Sequence, residues 1–154
     1  MHNRKKTVFT AGLALALVLF GILLAAPSAA AAERLSISVN AANVRSGPGT
    51  QYDMLWRMER YTPLIVISRQ GDWIFFEDFE KTRGWMHADL VDKTPTVITT
   101  AELCNIRSAP GTDKEIIFQA ESGVPFKVIG RQGPWINIQH ADGDKGWLHE
   151  SLVW

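Results

Sequence analysis

Apolar positions follow two different rhythms along this chain. From Val8 to Ala26 they run together almost without a break, whereas after Glu33 they come in short alternating stretches. Trp135–Gln139 reads W-I-N-I-Q, which sets Ile136 and Ile138 on one face and Trp135, Asn137 and Gln139 on the other. Pro125–Ile129 alternates large apolar with variable positions in the same way. A period of two marks strands with one buried face, and Gly, Pro or Asp bounds each run. No stretch of the alternating part holds a helical period over three turns. Short strands with Gly/Pro turns between them predict an all-β fold, a small barrel or sandwich. Closure into a barrel also leaves so small a sheet without a long unpaired edge.

The uninterrupted apolar run has a different meaning. MHNRKK before it is basic, and PSAAAAE after it supplies small residues in the A-x-A arrangement. That order is the order of a secretory signal peptide, with cleavage expected after Ala32 and Ala30 the next best position. The run is also close to the roughly 20 apolar residues that span a bilayer, so an uncleaved anchor is the other reading. Arg4, Lys5 and Lys6 hold the N-terminus inside under both readings and send the rest out, to the periplasm or the medium. Membrane contact is expected only if the segment stays uncleaved. No Cys follows the run, so a lipid-modified N-terminus is not expected.

The alternating part is written twice. NVRSGPGT (Asn43 to Thr50) returns as NIRSAPGT (Asn105 to Thr112), RQGDWI as RQGPWI, and GWMHADLV as GWLHESLV. Leu35–Asp92 lies on Val97–Trp154 without a gap, with about a third of positions identical, which is the signature of a duplicated unit. The organisation expected is a leader at 1–32, a first unit at 33–92, a linker at 93–96 and a second unit at 97–154. Each unit is near the lower size limit for folding alone.

N-[VI]-R-S-x-P-G-T, then G-x-W-I, then G-W-x-H, in that order and in both units, resembles the bacterial SH3 domain family. The resemblance covers nearly everything after the leader. It implies two tandem five-stranded SH3-like barrels, of the kind carried by exported envelope proteins and cell-wall hydrolases. It implies a non-catalytic module that binds peptidoglycan or another envelope component. The alternative is a periplasmic interaction or regulatory module that holds an envelope enzyme or assembly factor. Eukaryotic SH3 domains end on a motif similar to G-Y-x-P-S-x-Y, whose Pro and Tyr line a groove for proline-rich helices. Here His87 stands at the Pro and Leu90 at the Tyr, so no proline-rich peptide is expected as partner.

Charge and cysteine content narrow the chemistry. Beyond the leader, 13 Lys and Arg face 16 Asp and Glu, a net of about −3 without a basic stripe. The footprint of a nucleic-acid binder is missing. Cys104, the only cysteine, allows no disulfide within the chain; it replaces Ala42 of the first copy and reads as a small, buried, inert thiol. No paired carboxylates, Ser/His/Asp set or metal-ligand spacing repeats, so neither enzyme nor cofactor nor metal is expected.

Candidate site residues come from the repeated motifs. Trp73 and Trp135 lead, since alternation places each on the outer face of its strand, where a large aromatic either binds a ligand or caps the barrel end. Arg45 and Arg107 have two readings: a stem laid over the barrel with an acid as partner, or a fork of donors for a ligand carboxylate. Asn43 and Asn105 are expected to bond local backbone at the turn. Pro48 and Gly49 make S-G-P-G-T a tight turn that needs φ > 0 at Gly49, while Ala109 in place of Gly47 suggests a tolerant first glycine. Trp85 and Trp147 read as core, and His87 and His149 as satisfied by loop hydrogen bonds. Phe75 against Asn137 makes the first outer face the more apolar.

Overall fold

The structure is a computed structural model that describes residues 32–154; the expected leader, with its alternative as an anchor, lies outside the described residues. Among the described residues no helix is long and apolar enough to cross a membrane. The first unit carries β1 (Arg34–Ile37), β2 (Ala41–Arg45), β3 (Met54–Glu59), β4 (Pro63–Gln70), β5 (Trp73–Glu77), β6 (Arg83–His87) and the short β7 (Val91–Asp92). The second carries β8 (Thr96–Ile98), β9 (Leu103–Arg107), β10 (Ile116–Glu121), β11 (Pro125–Gln132), β12 (Trp135–Gln139) and β13 (Lys145–His149). Pairing runs β3-β2-β6-β5-β4-β1-β7 in one sheet and β10-β9-β13-β12-β11-β8 in the other. Apart from β7 the two orders are the same, and a lone Thr99–Val153 bridge takes the place of β7 in the second unit. Each SH3-like barrel thus has a short first strand paired to its long fourth, beyond the five strands that the resemblance implies.

Two features curl each sheet around its core. β4 pairs with β1 through Pro63–Ile65 and with β5 through Ile65–Gln70, and its register shifts between Val66 and Ser68. β11 repeats the shift between Val128 and Gly130. An extra residue of this kind bends a strand and raises its twist. Tight hairpins then join β4 to β5 and β11 to β12. Gly71 (φ 57°) and Gly133 (φ 56°) take the first position of these two-residue turns, where a left-handed residue matches the strand twist. An added Cβ would meet nothing within 4 Å at either glycine. Gly71→Ala and Gly133→Ala are therefore expected to cost about 1 kcal/mol each through backbone strain alone. Urea unfolding of the single variants measures it, and a loss near zero would contradict the strain.

The alternation seen along the chain is realised in the packing. Val44, Leu64, Ile74, Phe76 and Met86 are fully buried in the first barrel, as are Ile106, Phe126, Ile138 and Leu148 in the second. Trp85 and Trp147 are not part of either core. In both G-W motifs the glycine takes the inward position, so the tryptophan after it points outward and stays half-buried. Gly84 faces Val44 and Trp56 instead. Cys104 is fully buried, and burial raises its thiol pKa above the ordinary value. The only helical pieces among the described residues are 3₁₀ turns at Ala88–Leu90 and Glu150–Leu152.

Three residues, Lys93–Pro95, join the barrels, because Thr96 is buried and already paired with Lys127 in the second sheet. The joint is bonded to both sides. Ser36 Oγ donates to the Thr94 carbonyl at 2.9 Å, and Val128 N–H donates to the Pro95 carbonyl at 2.8 Å.

Candidate functional site

β2, β6 and β5 lie side by side, and their outward residues form one face. Arg45 pairs across to Trp85, Trp85 to Phe75, and Trp73 to His87. Phe75 and Trp85 stack with ring centroids 5.1 Å apart at 34°. Trp73 meets His87 edge to face at 5.3 Å and 88°. The second barrel repeats the pattern: Arg107 opposite Trp147, Trp147 opposite Asn137, and Trp135 against His149 at 5.4 Å and 86°. Such aromatic pairs hold one another in place and leave flat apolar surface on the outside.

The histidines are occupied as caps. His87 Nδ1 accepts the Asp89 N–H at 3.3 Å, and His149 Nδ1 accepts the Ser151 N–H at 3.3 Å, each starting a 3₁₀ turn. The carbonyls of Asp72 and Pro134 accept the Ala88 and Glu150 N–H groups at 2.8 and 2.9 Å. This ties each hairpin to the 3₁₀ turn and fixes the Trp–His pair between them.

In place of the acid expected as its partner, Arg45 meets backbone carbonyls. Its Nη1 donates to the carbonyls of Thr50 and Tyr52 at 3.1 and 2.8 Å, and Arg107 Nη1 donates to the Lys114 carbonyl at 2.6 Å. The arginine clasps the loop that follows its own strand, and its partners are carbonyls rather than an acid. Asn43 and Asn105 do not bond local backbone. Asn43 Oδ1 accepts from Arg57 Nε at 3.0 Å and Asn105 Oδ1 from Gln119 Nε2 at 2.8 Å, across the pair of strands.

The clasped loop also corrects the reading of its glycines. Gly111 has φ 141°, but Gly49 is not in the left-handed region. Crowding, not φ, decides at Gly47, where a Cβ would run into the ring of Tyr52. Ala109 is tolerated because Lys114 stands at the Tyr52 position. Gly47→Ala is thus expected to destabilise the first barrel by about 1–3 kcal/mol, as overpacking does, and Tyr52→Lys to restore most of the loss. A thermal-unfolding cycle over the two single variants and the double variant checks the coupling.

Of the residues singled out in the first unit, the structure brings Asn43, Arg45 and Trp73 together. With Thr50, His87 and Leu90 they line a depression of about 150 Å³. Trp85 and Leu90 were missed as site residues, while Phe75 was read onto this face without being counted in the site. The signal was there in R-G-W-M-H, whose buried Gly84 and Met86 turn Trp85 outward. Glu77 closes the far end of the face, and hydrogen bonds from Arg83 and Lys81, at 2.8 and 3.2 Å, hold it below the ordinary carboxylate range. Among the described residues no group of three or more His, Cys, Asp and Glu is placed to hold a metal ion. The arrangement offers a flat aromatic surface beside a small depression, suited to binding.

Parts of known proteins are similar to this chain. YrvJ of Bacillus subtilis strain 168, whose name places it provisionally among the N-acetylmuramoyl-L-alanine amidases, is 27% identical over 128 residues, 76% of this chain and 24% of that protein. The probable cell wall amidase LytH of Staphylococcus epidermidis is 38% identical over 64 residues, 41% of this chain and 22% of that protein. The chain therefore spans about a quarter of the length of these relatives. Among solved structures, an NlpC/P60 family protein from Bacillus cereus aligns with TM-score 0.39 and 13% identity over 79% of this chain and 56% of that one. NlpC2 of Trichomonas vaginalis aligns with TM-score 0.37 and 11% identity over 82% and 49%. The model of the bacterial SH3 domain matches twice, at residues 38–93 and 100–154. With both barrels matched and both built on the same strand order, the chain belongs to the bacterial SH3 domain family.

Proposed function

We propose that this chain is an exported, non-catalytic binding module of the cell envelope that holds peptidoglycan through the outer faces of its two barrels. One observation carries the reading: Trp on His and Arg opposite Trp recur at the same register in both copies. The cores diverge where those outer pairs do not. Phe76 faces Ile138 and Met86 faces Leu148 in the alignment, whereas Trp73, Trp85, His87 and Arg45 all recur unchanged. Wall hydrolysis is the activity in the names of the curated relatives. This chain corresponds to about a quarter of each, and wall contact is the part of their work that the barrels can share. Two linked barrels on a repetitive polymer gain avidity without new contacts.

A protein partner is the second reading, favoured by a separate surface. Met54 and Leu55 on β3, and Ile116 and Ile117 at the same places on β10, are exposed at an unpaired edge of each sheet. Sedimentation with purified peptidoglycan sacculi separates the two. Retention of the protein by sacculi stripped of protein supports the first reading, and its absence favours the second.

A further inference from the structure

A crevice of about 560 Å³ is lined by Arg34 of the first barrel, by the joint and by the second barrel. Its rim is cationic. Arg34 comes from β1, Lys93 from the joint and Arg131 from β11, and Glu150 is the one acidic side chain among them. Glu150 is shared already, since its carboxylate lies 3.5 Å from Arg131 Nη1. Val97, Val128 and Val153 supply an aliphatic wall.

Arg34 is the informative residue. Its guanidinium lies over the Trp154 ring, 4.0 Å from the centroid, while the residue as a whole stays exposed. Among the described residues Arg34 forms no ion pair, so the cation–π contact holds the guanidinium in place and leaves its N–H groups open to a ligand. Its equivalent in the second barrel is Thr96, so this cation belongs to the junction and not to the repeated fold. An exposed guanidinium held on an aromatic ring, beside two further cations and one committed acid, makes this rim complementary to negative charge.

We propose that this crevice binds a short acidic peptide, with carboxylates on Arg34, Lys93 and Arg131 and aliphatic carbons against Val97, Val128 and Val153. The volume falls in the range of roughly 300–1,000 Å³ that suits small ligands. The aliphatic wall is what favours a peptide over a bare anion, because inorganic phosphate gains nothing from valine side chains. The proposal stands apart from the outer-face reading and shares no residue with it.

Titration of the full chain with a synthetic peptide alternating glutamate with alanine tests it, followed by tryptophan fluorescence and by NMR of the Trp154 indole. Binding is expected, and about tenfold weakening is expected with the glutamine counterpart, with Arg34→Gln, and with Arg131→Gln. Affinity should also fall as salt rises. Trp73→Ala should leave this binding unchanged, which keeps its failure distinct from failure of the sacculus experiment. Absence of binding, equal affinity for the glutamine peptide, or wild-type affinity in folded Arg34→Gln and Arg131→Gln would overturn the proposal. So would inorganic phosphate competing as strongly as the peptide, since the site would then recognise charge alone.

Discussion

Trp73→Ala, Trp135→Ala and the double variant should lose sacculus binding in a graded way while staying folded. Each tryptophan is half-buried on the outer face, and its neighbours in the strand, Ile74 and Ile136, carry the core. Removing either ring forfeits the edge-to-face contact with His87 or His149, worth about 0.5–1.5 kcal/mol. A core tryptophan would cost about 3–5 kcal/mol. Binding should respond more sharply than stability. Losing one site leaves a single barrel on the polymer and removes an avidity gain of about 10²- to 10⁴-fold. Losing both should bring retention down to background. Paired sacculus sedimentation and thermal unfolding decide the matter. Unfolding of both single variants would make the rings structural. Folded variants that bind as well as wild type would move the site off this face.

The largest stability effect is expected at the smallest repeated residue. Gly84→Ala and Gly146→Ala should each destabilise their barrel by about 1–3 kcal/mol, by overpacking, or more where the walls cannot yield. A Cβ on Gly84 would run into the Val44 side chain, itself fully buried, and come within 3.3 Å of Trp56. On Gly146 it would meet Ile106 Cγ2 at 2.5 Å and the Arg107 carbonyl oxygen at 3.1 Å. Neither neighbour is the loose end of a flexible chain. The midpoint of chemical unfolding reads the loss, and a pair of variants as stable as wild type would mean that the strands separate more easily than the packing indicates.

This glycine also shows what could be read from residues alone. Alternation in W-I-N-I-Q and W-I-F-F-E was enough to separate the inner isoleucines from the outer tryptophans, because a strand has only two faces. The same rule applied to R-G-W-M-H would have turned Trp85 outward, but a large apolar residue beside glycine invites the core assignment. Duplication made the motifs visible and located both barrels. It also misled at the S-G-P-G-T loop. Ala109 suggested that Gly47 is free to vary, when the loop had changed at two positions together, Gly47 with Tyr52 against Ala109 with Lys114. Such compensation depends on which side chains touch, and no linear pattern contains that. The grouping of Asn43, Arg45 and Trp73 around one depression is likewise set by β2, β6 and β5 lying side by side, a fact of strand order. The inter-barrel crevice had no motif at all, since its cations come once each from three elements.

The three-residue joint has a consequence for how two grips cooperate. Tethered modules on a loose linker sample many separations, and nearly any spacing of targets can be met at some cost in entropy. Lys93–Pro95 is only three residues long and is hydrogen-bonded to the barrel on each side, which narrows the range of separations open to the barrels. If both outer faces hold the polymer as proposed, the molecule would then act as a calliper set near one opening. A lattice whose repeat matches that opening would be held by both jaws at little entropic cost. A lattice stretched or cross-linked to another spacing would be held by one, so the strength of attachment would report the geometry of the polymer as well as its chemistry.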